Sequence, residues 1–213
     1  MLLLIPFKKF VKINLSFHLK RIFDVLFSFF ILSVFLPFGI IFSVLILFSS
    51  KGGIFYCQNR VGQFGKSFSL LKFRTMKPNS DKLGQLTVGM RDPRITKIGV
   101  FLRKYKIDEF PQFINVLFGQ MSIVGPRPEV QEYVDLYSIE QLEILNIKPG
   151  ITDYASLEYF DENRLLGESD NPRETYIHEI MPHKLLLNKK YLENPTLSGD
   201  LKIIFKTASK MFK

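Results

Sequence analysis

The stretch YKIDEFPQF, residues 105–113, sets Asp108 and Glu109 side by side in a neighbourhood rich in cations: Arg91, Arg94, Lys97, Arg103, Lys104 and Lys106. Adjacent carboxylates can open a helix, because acidic groups complement the free N–H groups and the positive end of a first turn. Pro111 is tolerated inside such a turn, where its missing N–H had no partner. Phe113, Val116 and Leu117 would then supply an apolar face, and Gly119 a C′ stop. On this stretch alone the helix start is the simpler account.

A second stretch changes the weighing. In GQMSIVGPRPEV, residues 119–130, Pro126 and Pro128 bracket Arg127, fixing φ on both sides and removing two donors. A stiff loop holds a guanidinium against a phosphate with little loss of freedom on binding. A lone GPRP is equally a structural turn with an exposed arginine. About twenty residues after an acidic pair, and downstream of a basic strand carrying Lys72 and Arg74, it points to a diphosphate site. Lys72, Arg74 and Arg127 would be its cationic contacts, and a divalent metal would bridge phosphate oxygens to a carboxylate.

Composition agrees with anionic partners. The 213 residues carry a formal net charge of +9, which suits nucleic acid, anionic lipid or phosphorylated small molecules. Nucleic acid fits poorly, because interleaved aromatic stacking motifs and a helix-turn-helix pattern are both missing. The single Cys57 excludes an internal disulfide. His18, His178 and His183 form no HExxH pattern and no zinc framework. Neither a GxxxxGK[ST] loop nor a GxGxxG fingerprint occurs.

The elements that must position these residues begin with a membrane segment. After Asp24 the run VLFSFFILSVFLPFGIIFSVLILFSS is uncharged through Ser50. As one straight helix it would reach about 39 Å at ~1.5 Å per residue, beyond the ~30 Å hydrocarbon core. It is too long for a signal peptide and no A-x-A-like site follows it. Lys8, Lys9, Lys12, Lys20 and Arg21 precede the run, and Lys51 and Arg60 follow, so both flanks are basic. Pro37 cannot donate to the Ser33 carbonyl, which predicts a kink, and the Ser33 hydroxyl is close enough to help satisfy the freed groups. A kinked re-entrant hairpin with both ends in the cytoplasm and a kinked transmembrane helix both remain open.

Residues 1–50 therefore read as a basic N-terminus with a membrane helix, and residues 51–213 as a cytoplasmic body lying on the membrane. IFYCQNRVGQFGKSFSLLKFRTM predicts two short strands around a turn at Gly62–Gly65. TVGMRDPRITKIGVFLRKYK begins as a loop and becomes a basic amphipathic helix with Ile98, Phe101, Leu102 and Tyr105 as its apolar stripe. Near the C-terminus Lys202, Lys206, Lys210 and Lys213 share one helical face. The fold class expected is α+β and mainly helical: a re-entrant membrane helix hairpin, a short β-hairpin and several amphipathic helices on the membrane surface.

Taken in order, KRIFDVLFSFFILSVFLPFGI, QNRVGQFGKSFSLLKFRTM, DPRITKIGVFLRKYKIDEFPQFINVLFGQMSIVGPRP and KPGIT resemble the bacterial sugar transferases, and more narrowly the monotopic phosphoglycosyl transferases that start assembly of cell-surface glycans. The resemblance covers nearly the whole chain and corresponds to the family's minimal catalytic unit. It implies a two-step reaction at the cytoplasmic face of the bacterial inner membrane. An aspartate, here Asp108, attacks the sugar-proximal phosphate of a nucleotide diphosphosugar, usually UDP-linked, and releases the nucleoside monophosphate. A polyprenol phosphate then takes the phosphosugar from the aspartyl intermediate. Glu109 maps to the acidic neighbour, Mg²⁺ would be held near Asp108, and Arg127 and Lys72 would contact phosphate. The glycan would be a capsule, O-antigen, exopolysaccharide or glycoprotein glycan.

An ionised nucleophile is needed, and a helix N-terminus with cations and a metal nearby is expected to lower the Asp108 pKa. The expected partners are nucleotide sugar, polyprenol phosphate and the bilayer, with no nucleic acid; self-association into a homo-oligomer is left open. Departures from the family pattern are local. Leu36-Pro37 stands where Ser-Pro is frequent, Gln120 where an Asp is frequent, and Asn188 where many members carry Asp. DYASLEYFDENRLLG replaces a GWAQVNGR-like run, in a region where sugar or nucleotide selectivity would be set. The rival reading is a non-catalytic membrane-anchored scaffold whose acidic pair only caps a helix.

Overall fold

A computed structural model describes residues 15–78, 80 and 92–211. Lys8, Lys9, Lys12, Arg91 and Lys213, all named above as cations, lie outside the described residues. The first element, α1 (Leu15–Ser49), is a single long helix with Pro37 inside it. At ~1.5 Å per residue it reaches about 52 Å. Pro37 does not end the helix, whose hydrogen-bonded turns continue on both sides of it. Losing one N–H donor leaves the neighbouring turns bonded, and ring packing on both sides of the proline holds them. Nor does the Ser33 hydroxyl serve the freed carbonyl: it donates to Phe29 O at 2.9 Å. Ser43 donates likewise to Gly39 O (2.6 Å) and Ser49 to Ile46 O (2.8 Å), so these hydroxyls are satisfied within the helix, as an apolar medium requires.

Most of α1 presents large apolar side chains outward, among them Phe29, Phe30, Leu36, Phe38 and Phe48, the last 88% exposed. A water-facing helix of this composition would be unfavourable by roughly 25 cal/mol per Å² of apolar surface, so the protein is membrane-associated. The opposite side docks on the body along its length. Near the start, Lys20 bonds Val124 O (3.0 Å) and Asp200 (2.5 Å), Arg21 bonds Val116 O (2.7 Å) and Leu117 O (3.0 Å), and Asp24 accepts from Ser122 Oγ (2.8 Å) and Ile123 N (3.1 Å). Mid-helix, Phe35 stacks on Phe110 with ring centroids 4.1 Å apart. At the far end Ile46 is buried with Phe73 and Leu102. Both ends of α1, on either side of Pro37, therefore touch the same body.

Strands β1 (Phe55–Val61) and β2 (Ser67–Phe73) form the expected antiparallel hairpin, in a register running from Phe55 opposite Phe73 to Val61 opposite Ser67. The chain reverses through Phe64 (φ 59°) and Gly65 (φ 73°). Helix α2 (Lys97–Lys104) is the predicted basic amphipathic helix: Thr96 caps it by accepting from Gly99 N, and Leu102 is buried beneath it. A one-turn 3₁₀ segment (Ile107–Glu109) leads into α3 (Gln112–Leu117), with Gly119 following at φ 77° as the C′ residue.

Next comes a pairing that local pattern did not announce. Strand β3 (Ser122–Val124) lies parallel to β4 (Gly150–Thr152), joining the segment just before GPRP to the end of KPGIT. A Cβ on Gly150 would come within 2.1 Å of Gly125 N, so only glycine permits this approach. Between these strands lies α4 (Gln131–Val134), and after them α5 (Tyr154–Glu158), α6 (Glu162–Gly167) and α7 (Pro172–Thr175). A π-helical turn at Tyr176–Ile180 leads into α8 (Met181–Glu193), and α9 (Leu197–Met211) ends the described chain. Helix α9 buries Asp200 and Ile203 and leaves Leu201, Lys202, Phe205 and Lys206 exposed. One apolar cluster joins β2, α3, β3 and α9 through Leu70, Val116, Val124 and Ile203; a second, including Tyr133, Tyr176 and Leu185, supports the far side.

Candidate active site

The acidic pair sits where α2 has ended and α3 has not begun. Lys106 takes a left-handed conformation (φ 53°), which turns the chain sharply after α2, and Glu109 N bonds Lys106 O at 3.2 Å. Within this turn Ile107 packs with the Ile46–Phe73–Leu102 cluster and Phe110 stacks on Phe35. Their carboxylate neighbours are thereby fixed beside the membrane helix by apolar packing of the turn itself.

The two acids occupy opposite situations. Glu109 is clamped: Lys72 Nζ donates to its Oε1 at 3.0 Å, Arg127 Nη1 donates to Oε2 at 3.2 Å, and Arg127 Nη2 also donates to Oε1. Burial pushes its carboxyl upward, but Arg127 and Lys72 outweigh that and hold it well below the usual carboxylate range. Asp108 is only 6% exposed and its Oδ1 has no hydrogen-bond partner. Burial, reinforced by the Glu109 charge, raises its pKa, and Lys72, Arg103 and Lys106 offset this only in part. Position and cations do not by themselves lower the Asp108 pKa, because desolvation and the like charge next door win over them; the expected lowering counted a metal as well. Glu109 in turn holds Arg127 further above its ordinary value, while burial lowers Lys72 despite Glu109.

Two of the three cations predicted around the pair are gathered here: Arg127 and Lys72 form one ion-paired cluster with Glu109, next to Asp108. Arg74 is not part of it. Its guanidinium donates to Lys51 O (3.1 Å), Ile46 O (3.2 Å) and Ser50 O (2.7 Å), closing the carbonyl end of α1. The expected phosphate contact is thus replaced by a helix cap. On β2, Phe73 faces α1 and Lys72 the opposite side, as strand alternation requires; Arg74 follows the strand and is drawn to the helix end.

The GPRP loop is braced by residues that sequence reasoning did not single out. Asp153 Oδ2 accepts from Arg127 N (3.1 Å) while Asp153 also caps α5. Gly150 N donates to Pro126 O (2.9 Å), Arg60 Nη1 to Pro128 O (3.1 Å) and Val61 N to Glu129 O (2.8 Å). Tyr176 donates its hydroxyl to Glu129 at 2.7 Å. The one signal that could have found Asp153 is its place directly after KPGIT.

Among the described residues no group of three or more His, Cys, Asp or Glu side chains converges as a metal cage. The donor set nevertheless fits a magnesium ion, which binds oxygen and needs only one or two carboxylates when substrate phosphates complete its shell. The unpartnered Asp108 Oδ1 is such an oxygen. Chemically, a buried carboxylate with a free oxygen, flanked by two cations already fixed near each other, can receive a phosphoryl group and neutralise its charge.

Fold and site together define a membrane-associated α+β protein with an acidic pair held against its intramembrane helix. Residues 15–213 match the family described as bacterial sugar transferase. The chain belongs to that family and is an enzyme of the transferase class. It is 33% identical over 203 residues to the exopolysaccharide production protein ExoY of Rhizobium meliloti (strain 1021), covering 88% of this chain and 83% of that protein. It is 38% identical over 205 residues to the UDP-glucose:undecaprenyl-phosphate glucose-1-phosphate transferase of Klebsiella pneumoniae, covering 94% of this chain but 41% of that protein. A putative undecaprenyl-phosphate N-acetylgalactosaminyl 1-phosphate transferase of Bacillus subtilis (strain 168) is 43% identical over 122 residues, 57% of this chain and 68% of that protein.

Proposed function

We propose that this protein transfers a phosphosugar from a UDP-sugar to undecaprenyl phosphate through a covalent intermediate on Asp108, beginning the assembly of a cell-surface glycan. The observation that carries the reading is the buried Asp108 carboxylate, left with an unpartnered oxygen beside a glutamate that already holds two cations. A helix cap needs no such cluster, which speaks against the scaffold reading. The names of the relatives support both substrates.

In the first half-reaction an Asp108 oxygen attacks the sugar-proximal phosphorus, the P–O bond to the nucleotide breaks, and UMP departs with the electron pair. Arg127 and Lys72 release part of their hold on Glu109 to take up the diphosphate oxygens, which keeps both cations charged and positioned before substrate arrives. In the second, an oxygen of undecaprenyl phosphate attacks the same phosphorus and the Asp108 carboxylate leaves. Magnesium, held at Asp108 Oδ1 and by substrate phosphate, would neutralise charge on the transferring group. It would also favour the ionised nucleophile, offsetting the raised pKa of the buried carboxyl.

Contact of both ends of α1 with one body supports a helix that enters and leaves the same leaflet, with the body at the cytoplasmic face of the inner membrane. Cys57, the single cysteine, is exposed on β1, so a membrane-impermeant maleimide should label it in inverted vesicles and not in intact spheroplasts. The test of the reaction is UMP release from a panel of UDP-sugars by purified protein with Mg²⁺ and undecaprenyl phosphate. Release that requires Mg²⁺ is expected for at least one sugar; none from any UDP-sugar would overturn the proposal.

A further inference from the structure

The end of α3 farthest from the acidic pair gathers two cations and no counter-ion. Gly119 turns the chain there at φ 77°. The point that a Cβ on it would occupy lies 3.5 Å from Arg21 Nη2 and 3.6 Å from Lys148 Nζ. Arg21 belongs to the first turns of α1 and Lys148 to the KPGIT stretch before β4, so the fold brings two half-buried cations together from distant parts of the chain. Arg21 already closes α3 through Val116 O and Leu117 O. Lys148 adds nothing to that cap: among the described residues no carbonyl and no carboxylate accepts from its ammonium. Burial and the Arg21 charge lower the Lys148 pKa, and Asp24 offsets this only in part, its carboxylate being taken up by Ser122 and the Ile123 backbone. Two like charges facing one point are unfavourable until an anion joins them.

The two cations stand at the membrane boundary. Arg21 comes just before Asp24, the last charge ahead of the uncharged run, which is the level where lipid headgroups meet a membrane helix. Around it Leu19, Ile22 and Leu26 of α1 are exposed, as is Phe118, at 78%. We infer that Arg21 and Lys148 bind the phosphate of an anionic glycerophospholipid, whose acyl chains lie against Phe118 and the exposed apolar side of α1. The Arg21 fork is oriented by the two carbonyls it bonds, and Lys148 completes the cradle as a point charge. A headgroup of net negative charge is favoured over a zwitterionic one, because the ammonium of the latter would meet two cations of its own sign. A free phosphate could make the same polar contacts but has no chains to cover Phe118. The site lies at the opposite end of α3 from Asp108, so it is separate from the transfer chemistry and does not rest on it. It holds the start of α1 and the end of α3 together at headgroup depth.

Native mass spectrometry of the full chain released from non-ionic detergent micelles reads the site directly, with phosphatidylglycerol or phosphatidylcholine of matched chains added. Wild type is expected to retain one phosphatidylglycerol on the order of tenfold more tightly than phosphatidylcholine, the effect of one charge-assisted hydrogen bond. Lys148→Gln should lower the phosphatidylglycerol affinity by a similar factor, and Lys148→Arg should keep most of it. Lys202→Gln, which removes an exposed cation of α9 outside the cluster, should leave it nearly unchanged. The wild-type preference needs no variant, so the test survives a folding defect in Lys148→Gln. Equal affinity of wild type for the two lipids overturns the assignment, and so does an equal loss in Lys148→Gln and Lys202→Gln, which would mean diffuse surface charge. Inorganic phosphate should not displace the bound lipid, and undecaprenyl phosphate should add alongside it. Displacement by inorganic phosphate would make this a free-anion site, and one-for-one displacement by undecaprenyl phosphate would give the place to the acceptor; either result overturns the inference.

Discussion

The docking end of α1 and the turn at residues 107–109 both bury carboxylates, and they treat them differently. At the dock, Asp200 is 2% exposed and receives Lys20 at 2.5 Å and the Tyr191 hydroxyl at 2.8 Å. Asp24 is bonded to Ser122 and to the Ile123 backbone. At the turn, Glu109 is fully engaged but Asp108 keeps an oxygen without a partner. Saturated carboxylates join elements; an unsaturated one is a standing cost to stability, and such a cost is tolerated where chemistry uses the group.

Exchanging each kind of carboxylate for its amide should pull the two regions in opposite directions. Asp108→Asn is expected to abolish adduct and turnover while raising the melting temperature at neutral pH. The sign follows from the raised Asp108 pKa: the folded protein holds that proton more readily than the unfolded chain, so the ionised form costs stability above the folded pKa. The cost fades as pH falls through that value and is gone below the ordinary aspartate pKa. The advantage of Asn over wild type should therefore be largest at neutral pH and vanish in acid, as calorimetry across pH would show. A variant that turns over normally returns the acidic pair to the role of a helix cap.

Asp200→Asn should do the reverse. It strands Lys20 and weakens the Tyr191 bond, for a loss of about 3 kcal/mol, while adduct formation by the protein that remains folded continues. Denaturant unfolding in micelles together with single-turnover assays checks both parts; unchanged stability would show that the dock is not held by this pair. The smallest effect is expected between the two regions, at the GPRP loop. Arg127→Ala should weaken turnover by about 1.5–3 kcal/mol of transition-state binding without releasing the protein from membranes, and Arg127→Lys should recover part of it. Wild-type kinetics in Arg127→Ala would leave GPRP as a turn.

Much of the scaffold was legible before any coordinate. The uncharged run after Asp24, the alternating strands around Gly62–Gly65, the basic stripe of α2 and the stop at Gly119 are local patterns, and local patterns have local causes. Acidic pair and GPRP loop were legible as candidates because their residue types are unusual for their setting. What failed was the destination of long side chains. Lys72 lies on β2 and Arg74 just past its end, two residues on, yet Arg74 caps α1 and Lys72 reaches Glu109.

By itself, then, the sequence determined a membrane helix, a basic body and two segments with the residue types for phosphate chemistry, because hydropathy, periodicity and backbone restriction act over a few neighbouring residues. Tertiary structure alone decided that Asp108 is desolvated and unpaired while Glu109 is clamped, that Asp153 and Gly150 brace the loop carrying Arg127, and that α1 runs unbroken through Pro37 with both ends on one body. Those outcomes depend on burial and on charges brought together from segments far apart in the chain. Desolvation and Coulomb energy are set by what surrounds a group in space, and sequence neighbours supply only part of those surroundings.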